Sequence, residues 1–514
     1  MVEHRSPKPR AVGSSPSTPA SLPVGHDGQR HNRSALFSPP GVREGLWLGI
    51  ALSLMACLPY LFAAYPQLTD YPSHLARYYV MLDGGKNPVL ARYYDFQWIL
   101  TGNLGADLLI WPLAKVFGLE TAGWLIGCLL PPLTGLALVT VEWTLRRRIG
   151  MGALLAFVMI WSPAMGMGFY NFCLALVLAL FGFALWVRLE RRNWRWVVFL
   201  PWGALTWLAH VSGWGVLGIL VFGYEWHRRK GWSALIAPWP LFLPFLFLVA
   251  GQANSGLCFG SDAVRYKIGI WFKAMRDQSM RLDILTLLIV AFALLVALRQ
   301  RKFDGRLGWA ALILLVLTIA MPRHLGGGDY ADWRLIAVAL MIGCLAMDWR
   351  VPRWAFYLAP ALFLLRLGVT TYAWHDQSEE MEVALGALDQ IPQGSVVAGA
   401  VAVPASQWGV EPLEHAPSYA AVRRDALVNS HFALEGIHML QLRGGVNNFV
   451  DPSQRIIHSP GEQISLAEFA PAKNADYLWY FGREQPANLP AGAKIIHRTP
   501  ISFLARLANA PGRR

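Results

Sequence analysis

The stretch Leu68-Thr69-Asp70-Tyr71-Pro72-Ser73-His74 sets a carboxylate and an imidazole four residues apart, one turn if the segment is helical. Pro72 favours that: in a first helical turn its missing N–H has no partner to lose. Tyr71, Leu75, Tyr78 and Leu82 recur at helical spacing, which predicts a helix with Asp70, His74 and Arg77 together on another face. Asp70 and His74 could then act as a general base and its partner, or share a divalent metal. The competing reading makes Asp70 the N-cap of the helix and His74 a solvated polar residue.

Other residues of useful type lie far away in the chain. His210 closes an apolar run, where an ionisable group is costly and often functional; the alternative is a hydrogen bond to a neighbouring helix. Asn171, in Gly168-Phe169-Tyr170-Asn171-Phe172, could orient a ligand or only satisfy a helix end. Arg265-Tyr266-Lys267, followed by Trp271, Phe272, Lys273 and Arg276, mixes cations with aromatics, as suits a phosphate at lipid-headgroup level or nonspecific headgroup contact. In the glycine-rich loop 322–334, Arg323 or Arg334 could hold a phosphate while glycines allow close backbone approach. Asp332 and Arg334 could instead pair, or cap the next helix.

The elements that must position these residues are membrane helices. Hydrophobic residues make up 55% of the 514, with 23 Trp, and apolar runs of bilayer-crossing length recur. The formal charge of +13 comes largely from short Lys/Arg clusters between those runs, the pattern of cytoplasmic loops rather than of a nucleic-acid footprint. The 5 Cys show no metal-site or disulfide spacing. Residues 1–42 read as a disordered basic cytoplasmic tail. The first apolar core follows so late that 46–64 reads as an uncleaved anchor. Residues 65–120 form a first outer loop in which 104–117, carrying Asp107 and Lys115, lies in the interface.

Further runs at 121–145, 150–164, 169–187, 196–210, 214–226, 234–250, 282–298, 307–321, 335–347 and 354–371 bring the count to about eleven crossings, within a transmembrane unit of residues 43–372. Placing the basic clusters inside puts the tail inside and Asp70 outside, and the C-terminal region outside too. From residue 373 the composition changes. An amphipathic helix at 379–388 and strands at 395–403, 476–481, 494–497 and 501–506 predict an extracytoplasmic α/β domain of about 140 residues.

An acidic residue just after the first crossing, a first outer loop with interfacial helices, and many crossings followed by a soluble outer domain resemble the GT-C superfamily of membrane glycosyltransferases. The Asp-x-Pro-x-His-like form of the first loop is closer to bacterial members than to the commoner Asp-Glu version. The resemblance implies a GT-C-like polytopic α-helical protein of the bacterial inner membrane. Such a protein moves a sugar from a polyprenyl-phosphate donor to an envelope glycan, lipid or protein acceptor. Asp70 matches the first-loop catalytic acid, with His74 orienting it or helping to hold a divalent metal. Arg265, Lys267 and Arg334 would stabilise the departing phosphate. Two rivals compete with it: a non-catalytic scaffold for envelope glycan assembly, and a lipid or solute transporter. The paired repeats common in transporters are not seen in the sequence.

Overall fold

A computed structural model of the chain describes residues 36–246, 258–325, 328–435, 437–444 and 448–508. Most of the expected tail, the end of the 234–250 run and Gly326-Gly327 lie outside the described residues. The helical part runs α1 (Val42–Met55), α2 (Tyr71–Asp83), α3 (Gly105–Phe117), α4 (Leu119–Arg146), α5 (Tyr170–Arg188) and α6 (Arg195–Ala209). It continues with α7 (Val211–Arg228), α8 (Ala263–Phe272), α9 (Met280–Arg299), α10 (Gly305–Ala320), α11 (Trp333–Ala346) and α12 (Leu358–Leu385).

Among the described residues, four helices are long and apolar enough to cross a membrane: α4, α5, α9 and the Arg353–Gln390 run that contains α12. Several of the other expected runs fall short of that length, and the reasons are local. The 46–64 run is broken after Met55, with Pro59 in a separate short turn, Leu58–Leu61. The 150–164 run divides into Met151–Leu155, a tighter turn at Ala156–Met159, and Pro163–Gly166. Helices α6 and α7 meet at His210, whose backbone is extended (φ −167°, ψ 131°). In the other direction, the expected last crossing and the expected amphipathic helix fuse into α12, because no Pro or Gly interrupts residues 371–379. Trp374 on α12 is buried between Tyr60 and Trp161, with ring centroids 5.0 and 5.1 Å away.

Helix α2 forms as its apolar spacing predicts and stops at Gly84 in the left-handed conformation (φ 60°), which glycine adopts without a Cβ penalty. Helix α3 exposes Leu108, Trp111 and Val116 while burying Asp107 completely. That is the two-faced pattern expected of a helix at an apolar–polar boundary.

The C-terminal region is built on a six-stranded mixed sheet. Its strands are β2 (Val396–Pro404), β3 (Leu427–Val428), β5 (Arg455–His458), β6 (Tyr477–Phe481), β7 (Lys494–Arg498) and β8 (Ser502–Arg506). The apolar run Val396-Val397-Ala398-Gly399-Ala400-Val401 is buried and pairs parallel with β3, β5 and β6, the behaviour of a strand covered on both faces. Strand β8 closes antiparallel on β6, and β7 on β8. A separate ribbon joins the two halves of the chain: β1 (Tyr94–Phe96), from the first loop, pairs antiparallel with β4 (Leu440–Leu442).

Candidate functional site

Asp70 is placed by backbone bonds rather than by its own side chain. Its N–H donates to Met167 O at 3.0 Å and that of Thr69 to Gly166 O at 3.4 Å, tying the start of α2 to the turn before α5. Gly168 supplies the turn that this contact needs: its φ of +89° is a conformation that residues with a Cβ rarely adopt. Although Asp70 stands at the N-cap position, its carboxylate makes no capping hydrogen bond. The simple capping role considered for it is thereby corrected.

The carboxylate opens into a cavity of about 430 Å³ between the helices and the C-terminal region. Among the described residues no hydrogen bond reaches it. Burial pushes the carboxyl well above the ordinary range; Glu414 and Asp451 push the same way, while Arg334 and Arg455 pull it back. His415 Nε2 lies 3.9 Å from Asp70 Oδ1 and 3.5 Å from Asp451 Oδ1. The other ring nitrogen, Nδ1, donates to Ser430 O at 2.8 Å. Glu414, His415 and Asp451 each offer a ligand atom, all within 4.8 Å of one another.

His74 lines the same cavity, stacked on Tyr78 with a tilted Phe432 ring near it, centroids 6.2 and 5.4 Å away. Its Nδ1 is buried without a hydrogen-bond partner. Burial and the nearby Arg77 charge push its pKa well down, so the ring is neutral. The three ligand atoms gathered within 4.8 Å of one another are thus those of Glu414, His415 and Asp451; His74 is not among them.

The cations around the cavity differ in what they already hold. Arg334 touches His210 Nε2 at 2.9 Å, donates to Asp329 O at 3.1 Å and lies 4.0 Å over the Phe169 ring, with no carboxylate in ion-pair contact among the described residues. Arg323 is spent on a two-pronged pair with Asp329, both bonds 2.9 Å. Arg455 is paired with Glu414, and Arg77 with Asp107 at 3.0 Å. Among the described cations of the cavity, Arg334 is the one without a carboxylate partner, left for an incoming anion.

Of the nine residues singled out from the sequence, Asp70, His74, Asn171, His210, Arg323 and Arg334 line this one cavity. Asn171 and His210 serve it as supports. Asn171 Nδ2 donates to Asn103 O at 2.8 Å and Asp107 Oδ2 at 3.3 Å, while its Oδ1 accepts from Ala106 N at 2.5 Å. His210 caps α7 by accepting from Ser212 N at 3.0 Å, and its Nε2 lies 2.9 Å from Arg334. The other three stand elsewhere. Arg265 is exposed and lines a separate surface depression. Lys267 is fully engaged, with Nζ 2.5 Å from Asp332 Oδ2, 2.6 Å from Met321 O and 2.9 Å from Thr318 O. Asp332 is completely buried, accepting also from Tyr266 Oη and Trp333 N at 3.1 and 2.8 Å. Lys267 and Asp332 neutralise each other, locking α8 to α11 instead of facing a ligand.

Sequence reasoning missed Glu414, His415, Asp451 and Arg455. They come from irregular segments and a short strand, and nothing in their spacing ties them to residue 70. Arg77 did carry a signal, since it shares a helix face with Asp70 and His74.

No protein-family model matches the chain, and no curated protein does. Among solved structures the chain is similar to ArnT from Cupriavidus metallidurans bound to undecaprenyl phosphate, with TM-score 0.48 and 12% identity over 91% of this chain and 99% of that one. It is similar also to ArnT from the same organism in the apo state, with TM-score 0.45, 12% identity and the same coverage of each chain.

Proposed function

We propose that this protein is a bacterial inner-membrane glycosyltransferase that moves a sugar from a polyprenyl-phosphate carrier to a cell-envelope acceptor, with Asp70 as the base. One observation carries the reading. Among the described residues, a buried carboxylate without a hydrogen bond and a guanidinium without a carboxylate face one cavity between apolar helices and the C-terminal region. Burying a charge without an opposite charge in contact costs free energy, which an anionic substrate bound beside Arg334 would recover.

The chemistry needs only those two groups and good positioning. Asp70 takes the proton of an acceptor hydroxyl as its oxygen bonds to the anomeric carbon. The bond from that carbon to the phosphate oxygen breaks, and its electron pair leaves with the polyprenyl phosphate. Arg334 stabilises the charge that gathers there. Positioned base catalysis contributes roughly 10²–10⁴ in rate. Neutral His74 packs beside the base without adding a positive charge. Arg265 and Lys267, held outside the cavity, have no part in this step.

The test is direct. Purified protein in lipid nanodiscs is given polyprenyl-phosphate sugars, and the release of free polyprenyl phosphate is followed by mass spectrometry. Release that depends on an acceptor supports the reading. If no donor is consumed and envelope glycans are unchanged in cells carrying Asp70→Asn, the scaffold alternative stands in its place.

A further inference from the structure

The imidazole of His415 is held by Ser430 O with its Nε2 facing two carboxylates. The ring is 1% exposed. Ser430 O can only accept, so Nδ1 carries the hydrogen at that 2.8 Å bond. In the neutral ring Nε2 is then an acceptor, aimed at the carboxylates of Asp451 and Asp70, 3.5 and 3.9 Å away. A cation or a proton between these groups would satisfy all of them at once. Among the described residues Arg455 is in ion-pair contact with Glu414.

We propose that a divalent transition metal occupies this point, bound by Glu414, His415 and Asp451, with Asp70 beside it. The site belongs to the C-terminal region, and its existence does not depend on the proposed sugar transfer. An imidazole with carboxylates is a donor set that suits Zn²⁺ or Mn²⁺. Metal–ligand bonds of about 2.1 Å in a tetrahedral shell put donor atoms about 3.4 Å apart, so His415 and Asp451 already stand at workable separation. Glu414 has its ligand atom within 4.8 Å of both and comes into range by a side-chain rotation, keeping its other oxygen for Arg455. The Ser430 carbonyl fixes the ring tautomer, the part an outer partner plays at a metal-bound histidine. If the transfer reading also holds, a cation here would sit next to the base and within the cavity that receives the phosphate.

The experiment uses the full-length protein in detergent, stripped with EDTA, loaded separately with Mn²⁺ and Zn²⁺, and desalted before elemental analysis. About one bound metal per chain is expected. His415→Asn, which keeps an N–H for Ser430, and Asp451→Asn should each weaken binding by at least tenfold, the lower end of what even an outer partner contributes. A second measurement needs no variant: Mn²⁺ bound to the wild-type protein should show imidazole ¹⁴N coupling in pulsed EPR. Failure of the wild type to retain either metal, absence of nitrogen coupling, or unchanged affinity in folded variants would each overturn the site. Metal bound without sugar transfer sinks only the transfer reading; transfer by metal-free protein sinks only the metal's part in it.

Discussion

Replacing Asp70 separates its chemical role from a structural one, because the structure assigns it no capping bond. Were Asp70 an N-cap, Asp70→Ala would cost about 1 kcal/mol of stability. Here the backbone around it is held by Met167 O and Gly166 O, which the substitution leaves untouched, and the carboxylate is buried without a hydrogen bond. Removing an unsatisfied buried acid therefore costs nothing in chelator-treated protein. Because the folded-state pKa is raised above the unfolded value, the charged form is the disfavoured one, and stability falls as pH rises through that raised value. Asp70→Ala should accordingly melt at the same temperature as wild type or higher at neutral pH. Activity should behave in the opposite way. Asp70→Asn keeps the shape and loses the base, so kcat for sugar transfer should drop by roughly 10²–10⁴, about 3–5 kcal/mol of barrier. Thermal melting with a fluorescent reporter and the polyprenyl-phosphate release assay read the two quantities on one preparation. A variant that melts well below wild type while retaining more than about a tenth of its rate would refute the reasoning on both counts.

Arg334→Gln should lower kcat/KM for the lipid-linked donor by about 10- to 100-fold, the contribution of one charge-assisted hydrogen bond, whereas Arg265→Gln should leave it within about twofold; steady-state kinetics compares them. Asp332→Asn should destabilise the fold by about 3–5 kcal/mol, because it leaves Lys267 charged at a site where their side chains are only 15% and 0% exposed; chemical denaturation measures this. His438, pushed down from 6.5 to about 4 by burial and by Arg77, stays neutral while the unfolded chain takes up a proton, so stability is lost as pH falls between those values. His438→Gln should flatten the acid side of the melting-temperature profile.

Much of the helical half was legible because its signals are local. Pro72, the spacing of Tyr71, Leu75 and Tyr78, and Gly84 together mark α2 at both ends. Strand β2 was equally clear from its unbroken apolar run. The number of crossings was harder. Hydropathy measures how apolar a run is and is insensitive to a kink after Met55 or to a turn at Ala156–Met159. The site was half legible. Asp70, His74 and Arg334 stood out by type, but whether a cation is free or already spent depends on its neighbours. Arg334 and Lys267 look alike as letters, and only the fold shows that one meets a histidine and the other an aspartate 65 positions away. The acids and imidazole supplied by residues 414–455 left no trace because their neighbourhood arises from pairings across hundreds of residues.

The short β1–β4 ribbon, together with α12, has a consequence for how such a molecule could diversify. Three residue pairs make a ribbon too small to stand on its own, so it holds only while both halves present matching shapes. The portion after α12 is therefore no interchangeable cassette. Grafting it onto a foreign helical scaffold would misalign Glu414, His415 and Asp451 with Asp70. A change of acceptor preference is more accessible through the side chains of the cavity wall than through recombination of whole parts.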